Sequence, residues 1–297
     1  MMITNGGCRK ENAMAICLTL DEEGDIMKER PILFTGEMVK AILDDRKTMT
    51  RRVIKPQPVE VVHEDEGSHI EWSCREWPDL QVDSIDELAD YGKYRVGDRL
   101  WVKESWRVGA WAENDGEICV DYRVDGYCRK EWLPVDNDEM FERLCEQSTE
   151  DAAKVYGQQE EYSWEPGESP CRWHSSRFMP RWASRINLPV KNIRVERLQD
   201  ITGRDVLAEG VDNGKSNPTM GIRWENMQRM AFQELWNKIN AKWKRVYNRM
   251  TKTYEFYCYP WSEGDTPPIP KSTKHPERYH SFPNPWVWVV EFEMLKG

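Results

Sequence analysis

The chain has 297 residues, a formal net charge of −10 and a mean hydropathy of −0.80, and 32% of its residues are charged. This acidic balance argues against a protein that coats duplex DNA nonspecifically, because that affinity comes from many contacts of Lys and Arg with phosphates. The 15 Trp and 11 Tyr residues supply more aromatic area than disordered chains carry, so the sequence predicts a folded protein.

The N-terminal residues 1–26 are predicted to form a flexible extension, followed by a single elaborated domain over residues 27–297. Residues 13–20 are apolar and follow basic residues, as in a secretory signal, but the run is short and the acidic residues 21–25 come next. We find no stretch of the sequence that is long and apolar enough to cross a membrane. The eight cysteines include no Cys-x-x-Cys pair, which is typical of a reducing compartment, and we expect a cytoplasmic protein.

Cys171 and His174 have the spacing of half a zinc site. The other histidines form no second half of comparable spacing, and tetrahedral zinc requires four ligands. The sequence therefore predicts neither a metal nor a cofactor.

The first predicted elements are a buried strand over residues 31–34 and a helix over residues 36–45, whose apolar residues recur at helical spacing. The basic segment, residues 46–52 (RKTMTRR), is predicted to lie on the loop that leaves this helix, and loops of this kind often carry binding sites. Residues 59–92 are acidic and poorly periodic, so a surface insertion is predicted there.

The middle of the chain is predicted to contain strands followed by a long loop. A strand over residues 99–103 follows a Gly-Asp turn, and strands continue through residues 108–133 with a hairpin turn at Asp125 and Gly126. Residues 135–170 are acidic and are predicted to form a mobile loop or lid.

The last part of the chain combines strands with amphipathic helices. Thr202 is the predicted N-cap of a helix over residues 200–209, with Asp205 in a capping-box position. The other predicted elements are a strand within residues 186–198, a helix over residues 224–246, a loop over residues 247–285 and a strand over residues 286–293. The predicted fold class is α+β.

The basic segment has the residue types of a site. Lys47 and Thr50 are three residues apart, and the arginines around them are cations that lower the pKa of a neighbouring ammonium, which would let Lys47 act as a base. The guanidinium of Arg51 or Arg52 suits a phosphate or a carbonyl. The alternative interpretation is a solvated basic loop in which Thr50 caps a turn.

Three blocks of sequence resemble the ASCH domain family: residues 42–52 (ILDDRKTMTRR), 96–102 (VGDRLWV) and 198–210 (LQDITGRDVLAEG). Residues 232–240 (FQELWNKIN) are similar to a helix of the longer ASCH proteins encoded by bacteriophages and prophages. The resemblance implies a PUA-like β-barrel with flanking helices and with large insertions near residues 59–92 and 104–180. It also implies an association with RNA or modified nucleosides.

The resemblance extends to the bacterial N4-acetylcytidine amidohydrolases of this family. It implies that Thr50 is the nucleophile, Lys47 the base that takes its proton, and Glu209 the proton shuttle or orienting acid. Arg52 matches an arginine of the same motif and would stabilise the substrate or an oxyanion. For Glu209 the alternative is an ordinary charge at a helix end. The further candidates for substrate contacts are Arg46, Thr48, Arg51 and Trp101, the last by stacking on a base.

Three functional hypotheses remain open from the sequence. The first is an enzyme that hydrolyses N4-acylated cytidine or a related nucleoside with Lys47, Thr50 and Glu209. The second is a non-catalytic module that binds RNA or single-stranded nucleic acid, and the third is a phage-encoded interaction protein whose protein partner is unknown. The acidic net charge favours a confined pocket over an extended nucleic-acid surface, and the two insertions leave the substrate open.

Overall fold

The computed structural model describes residues 18–20, 26–63, 67–74, 77, 79–129, 131–159, 161–211 and 222–295. Within these residues the chain is a mixed α+β protein with four sheets, which confirms the predicted fold class. The finer expectation of a PUA-like barrel stays a prediction. None of the described helices has the length and hydropathy needed to span a bilayer.

The elements are numbered in chain order. The strands are β1 (Leu18–Leu20), β2 (Ile26–Leu33), β3 (Met49–Val53), β4 (Val59–His63), β5 (Gly67–Trp72), β6 (Leu80–Val82), β7 (Arg99–Lys103), β8 (Trp106–Ala112), β9 (Glu117–Tyr122), β10 (Leu133–Pro134), β11 (Asn187–Arg197), β12 (Lys244–Asn248), β13 (Thr253–Cys258), β14 (Tyr279–Ser281) and β15 (Trp286–Phe292). The helices are α1 (Gly36–Leu43), α2 (Leu88–Tyr91), α3 (Asp138–Tyr156), α4 (Gly203–Ala208) and α5 (Ile222–Asn240).

The central sheet has six strands in the order β1-β2-β7-β11-β15-β3. The pair β2 and β7 is parallel, and the other neighbours are antiparallel. Side chains alternate between the two faces of a strand. On β15, Trp288 and Val290 therefore pack into the main core, whereas Val287 and Val289 pack against the cluster of α4 and α5. The edge strand β3 is thus covered by helices and lies next to β15.

Most of the predicted elements are confirmed. The predicted strands at residues 31–34, 99–103, 186–198 and 286–293 correspond to β2, β7, β11 and β15, and the helices correspond to α1, α4 and α5. The helix predicted over residues 224–246 is wrong at its end, because α5 ends at Asn240 and β12 begins at Lys244. The helix α4 also has the predicted capping box between Thr202 and Asp205. The expected extension, residues 1–26, lies mainly outside the described residues, but Leu18–Leu20 forms β1 and pairs with β2.

Three predicted loops are wrong. The basic segment is a loop only as far as Thr48, because Met49–Val53 forms β3 and pairs with β15. Residues 135–170 contain the helix α3, which is capped by Asn137 and has a buried stripe that its many acidic residues obscure in the sequence. Residues 247–285 contain β13 and β14 rather than only a loop. Paired charges in the basic segment and in residues 135–170, and the shortness of the strands in residues 247–285, explain why the sequence predicts these elements as loops. Neither feature produces a regular spacing of apolar residues in the sequence.

The region predicted as a surface insertion, residues 59–92, contributes to the core. It forms the sheet β4-β5-β6 and the short helix α2. Ile70 and Trp72 share one face of β5 and are 7% and 5% exposed, while Glu71 between them is exposed. The acidic composition therefore describes only the outer face of this small sheet.

Candidate functional site

Lys47 and Glu209 meet in a buried contact. Lys47 lies between α1 and β3, and Glu209 is the C-cap of α4. The ammonium Nζ of Lys47 donates to Glu209 Oε2 at 2.8 Å, to the Glu209 carbonyl at 2.8 Å and to the Met49 carbonyl at 2.7 Å. An ammonium has three N–H donors, so all three are used. This arrangement fits the protonated form of Lys47.

Gly210 allows this close approach. Its backbone has a φ of 80°, a conformation that residues with a side chain rarely adopt. A Cβ at this position would lie 2.8 Å from the Cβ of Ala41 and 2.9 Å from the Cβ of Lys47. The end of α4 at Glu209 and Gly210 therefore packs directly on the residues that follow α1. The backbone N–H of Thr48 also donates to the Ala208 carbonyl at 2.8 Å, which links the two segments.

The electrostatics of Lys47 combine two opposing effects. Burial lowers the pKa of Lys47 below its ordinary value, because a charge loses its hydration there, whereas the charge and hydrogen bond of Glu209 act in the opposite direction. The positive charges of Arg52 and Arg51 add to the lowering. Lys47 thus holds an ammonium whose proton is released more easily than that of an exposed lysine.

Arg51 is the centre of a buried ionic network. Its Nη2 donates to Glu196 at 2.9 Å and to Asp205 at 3.0 Å, and its Nη1 lies 3.4 Å from Glu209 Oε1. Arg194 also pairs with Glu196. Only the buried Nε of Arg51 has no hydrogen-bond partner within the described residues. Arg51 therefore holds β3, β11 and α4 together, and most of its donors are already occupied.

A cavity of about 630 Å³ lies beside this network. Four of the predicted site residues line it, namely Thr50, Arg51, Arg52 and Glu209. Six aromatic side chains share its wall: Trp72, Tyr91, Tyr94, Phe232, Trp236 and Trp288. Further cations on the wall are Lys55, Lys93 and Lys244. The cavity thus combines flat apolar surfaces with positive charge, and Thr50 is one of the residues that line it.

The aromatic wall comes from distant parts of the chain. Trp72 on β5 and Trp288 on β15 contact each other edge to face, with ring centroids 5.8 Å apart. Phe232 and Trp236 are one turn apart on α5, with centroids 6.1 Å apart. The central sheet, the sheet β4-β5-β6 and α5 therefore surround the cavity together. Of these three elements, the sequence predicts an apolar stripe only for α5.

The other predicted site residues lie elsewhere. Lys47 is not among the residues that line the cavity, but it contacts Glu209, which is one of them. Arg46 is exposed and pairs with Asp44 at 3.0 Å, and the side chain of Thr48 is exposed. Trp101 lies on β7, three strands from β3 in the central sheet, which separates them by about 14 Å across the strands alone. It is also displaced along the strands, because Trp101 pairs with Asn187 on β11 whereas Thr50 is in register with Ile193. The structure thus brings together the three predicted catalytic residues and two of the arginines, but not Arg46, Thr48 or Trp101.

Arg52 has a more open position than its neighbour Arg51. Its Nη2 donates to the Leu33 carbonyl at 2.8 Å, and its guanidinium lies 5.1 Å from the ring centroid of Phe34. A guanidinium has five N–H donors. Within the described residues, the Leu33 carbonyl accepts from Arg52, which leaves donors for a ligand in the cavity. The residues that the sequence interpretation missed as part of the site are the carboxylates Glu196 and Asp205 and the cations Lys55, Lys93 and Lys244. The capping box identifies Asp205 only as a capping residue, and no local pattern singles out the other four.

The half-zinc spacing has a different explanation. The His174 ring stacks on Trp106 with centroids 4.7 Å apart, and the Cys171 thiol is buried. Burial raises the pKa of Cys171 and lowers that of His174, so both side chains favour their neutral forms.

Comparisons of the chain with known protein families, with characterised proteins and with solved structures give no match.

Proposed function

We propose that the cavity binds the base of a nucleoside, either free or within a nucleic-acid strand. The observation that carries this proposal is the combination of aromatic rings, cations and Thr50 around one cavity of about 630 Å³. Pockets for small molecules occupy roughly 300–1,000 Å³, and proteins hold unpaired bases by stacking on aromatic rings. The ASCH-like blocks, which supply Lys47, Thr50 and Glu209, support the same class of ligand.

Hydrolysis of an N4-acyl group from cytidine is the second candidate function. It is favoured because Thr50 and Glu209, the buried partner of Lys47, line the same cavity. Thr50 Oγ1 would attack the acyl carbonyl carbon while a neutral Lys47 amine takes the hydroxyl proton. The bond from this carbon to N4 breaks as N4 takes the proton, and water then hydrolyses the Thr50 ester to release the carboxylic acid. Arg52 would donate to the oxyanion.

This reaction places a condition on Lys47. A neutral amine has two N–H donors and one lone pair, so one of the three acceptors around Nζ must separate before Lys47 can accept a proton from Thr50. The lowered pKa of Lys47 makes the neutral amine more accessible than in an exposed lysine. The rate of hydrolysis is therefore expected to increase as the pH rises towards the pKa of Lys47.

The test compares binding and hydrolysis in matched variants. Cytidine and N4-acetylcytidine are titrated into the protein by calorimetry, and release of acetate is followed separately. Thr50→Val is expected to keep binding and to abolish acetate release, whereas Thr48→Val, an exposed threonine outside the cavity, behaves as wild type. Trp288→Leu removes a stacking surface and weakens binding by at least about fivefold.

Different results would contradict the base-binding proposal and the hydrolysis proposal. If neither nucleoside binds, or if Trp288→Leu leaves the affinity unchanged, the cavity is not a base-binding site. If wild type binds N4-acetylcytidine without releasing acetate, or if Thr50→Val releases it at the wild-type rate, hydrolysis through Thr50 is wrong and base binding stands alone.

A further inference from the structure

A basic arm, defined as residues 241–254, extends from the end of α5 through β12 into β13. It contains five Lys or Arg residues and no Asp or Glu, although the whole chain has a net charge of −10. The two strands are joined by a turn in which the Asn248 side chain accepts from Met250 N at 2.9 Å. The arm therefore concentrates positive charge on one small part of an acidic protein.

One face of the sheet β12-β13-β14 is aromatic. Tyr247 and Tyr254 are cross-strand partners whose ring centroids are 5.2 Å apart, and they are 49% and 47% exposed. The guanidinium of Arg245 lies 4.4 Å from the ring centroid of Tyr254. Phe256 follows on the same face and stacks on Tyr279 of β14 with centroids 4.5 Å apart. The result is a row of rings and one cation on a half-exposed sheet surface.

The acidic residue on β13 does not neutralise this face. Successive side chains of a strand point to opposite faces, so Glu255 lies on the other face from Tyr254 and Phe256. It is engaged there by Asn248 at 2.8 Å and by the hydroxyl of Tyr257. The turn that joins β12 and β13 adds Arg249 and Lys252, and both are positive.

The arm adjoins the cavity at the start of β12, which is an edge strand. Lys244 lines the cavity together with Lys55 and Arg52. Burial and the positive charges of Lys55, Arg52 and Lys242 lower the pKa of Lys244, which indicates that these cations lie close enough to repel one another. An anion at this edge would relieve the repulsion, and a phosphate of a nucleic-acid backbone has the required charge.

We propose that the aromatic face of the arm binds single-stranded nucleic acid, with bases stacked on Tyr247 and Tyr254 and with phosphates near Arg249 and Lys252. The nucleic acid then crosses the edge strand β12 to reach Lys244, which lies on the other face of that strand, towards the cavity. The ligand of the cavity is then one nucleotide of a longer strand; this last point rests on the proposed function, whereas the binding surface itself does not. Stacking on aromatic rings combined with a cationic path is how proteins hold single strands without reading their sequence.

The test uses the full chain and a fluorescent single-stranded RNA of about 12 nucleotides, within the range that single-strand sites cover. Tyr247→Leu/Tyr254→Leu is expected to weaken binding by at least about fivefold, because base stacking is lost while apolar area is kept. Tyr247→Phe/Tyr254→Phe keeps both rings and is expected to bind as wild type. Both tyrosines are half-exposed, so these changes leave the core intact.

The phosphate contacts are tested by the salt dependence of the same binding. Arg249→Ala/Lys252→Ala is expected to reduce the slope of log affinity against log salt by about 1.4, since each phosphate contact to a single strand contributes about 0.7. Lys154→Ala/Lys191→Ala removes two exposed lysines of α3 and β11 and is the control of equal charge. It is expected to leave the slope unchanged.

Several outcomes would overturn the proposal. Two concern the tyrosines: Tyr247→Leu/Tyr254→Leu binds RNA with the affinity of the wild type, or Tyr247→Phe/Tyr254→Phe loses as much affinity as the Leu variant. The others are that Arg249→Ala/Lys252→Ala and Lys154→Ala/Lys191→Ala change the salt slope equally, or that a duplex of the same length binds more tightly than the single strand. If the arm variants instead abolish a stable complex with a protein and the RNA does not bind, the face is a protein interface. Failure of cytidine to bind while RNA binding depends on the arm would refute the cavity proposal alone.

Discussion

Replacing Glu209 with Gln removes the charge that accompanies the buried ammonium of Lys47 while keeping the shape of the side chain. The side chain of Lys47 is 0% exposed and that of Glu209 is 4% exposed. Arg51 keeps Glu196 and Asp205 as partners, so the loss falls mainly on Lys47. Removal of one partner of a buried ion pair destabilises a protein by about 3–5 kcal/mol.

Neutralisation of Lys47 limits this loss. Deprotonating a lysine with the ordinary pKa of 10.5 costs about 4 kcal/mol near pH 7.5. The free energy of unfolding of Glu209→Gln is therefore expected to fall by about 3–4 kcal/mol at that pH. Glu209 raises the pKa of Lys47, so the loss of its charge lowers this pKa further in the folded variant than in the folded wild type. The folded variant therefore releases the proton at a lower pH, and its stability relative to wild type increases with pH. The difference from wild type should accordingly shrink as the pH rises.

Urea denaturation of wild type and variants measures this prediction, with equal slopes against urea as the check for two-state unfolding. The control is Glu293→Gln, because Glu293 pairs with Lys191 at 2.7 Å but the two side chains are 55% and 54% exposed. That variant is expected to lose less than about 1 kcal/mol. Equal losses in the two variants, or a loss in Glu209→Gln that is constant with pH, would refute the reasoning.

The remaining predictions concern the fold around the site and the reaction. Gly210→Ala should destabilise the protein by about 2 kcal/mol or more, because the added Cβ overpacks against Lys47 and the backbone has an unfavourable positive φ. The control is Gly116→Ala, which should lose about 1 kcal/mol, because Gly116 has a φ of 70° but open space around it. The midpoints of urea denaturation measure both losses. Arg172 holds the pKa of Asp151 well below its ordinary value of 3.8, so this stabilisation is present above pH 3.8 and is lost as the pH falls further. Asp151→Asn should therefore be less stable than wild type at neutral pH and converge with it in acid, as urea midpoints at several pH values would show. Any release of acetate from N4-acetylcytidine should accelerate with pH and disappear in Lys47→Met, and a pH-independent rate would contradict Lys47 as the base.

Local signals predicted the parts of the fold that are built from neighbouring residues. The capping box of Thr202 and Asp205 places the start of α4, and the apolar spacing of α1 and α5 predicts both helices. The end of α4 at Glu209 and Gly210 is equally local. What local signals do not predict is the contact of Glu209 with Lys47, because the two residues are 162 positions apart. Their pairing was expected only from the ASCH resemblance.

The errors share a physical origin. Arg51 is buried because Glu196, Asp205 and Glu209 surround it, and a charge buried in this way does not contribute to an apolar period. The strand β3 consequently reads as a polar loop in the sequence. Similarly, Trp72 belongs to an acidic segment but packs against Trp288 in the core. The cavity is formed by residues from separate segments, so its composition becomes apparent only after folding.

The most direct test of the central claim is a crystal structure of the protein with N4-acetylcytidine. The base is expected in the cavity between Thr50 and the rings of Trp72 and Trp288, with its acyl group or its released product next to Thr50. A structure of the soaked crystal in which this cavity is free of nucleoside, or in which the nucleoside lies only at Trp101 or another site, would contradict the account.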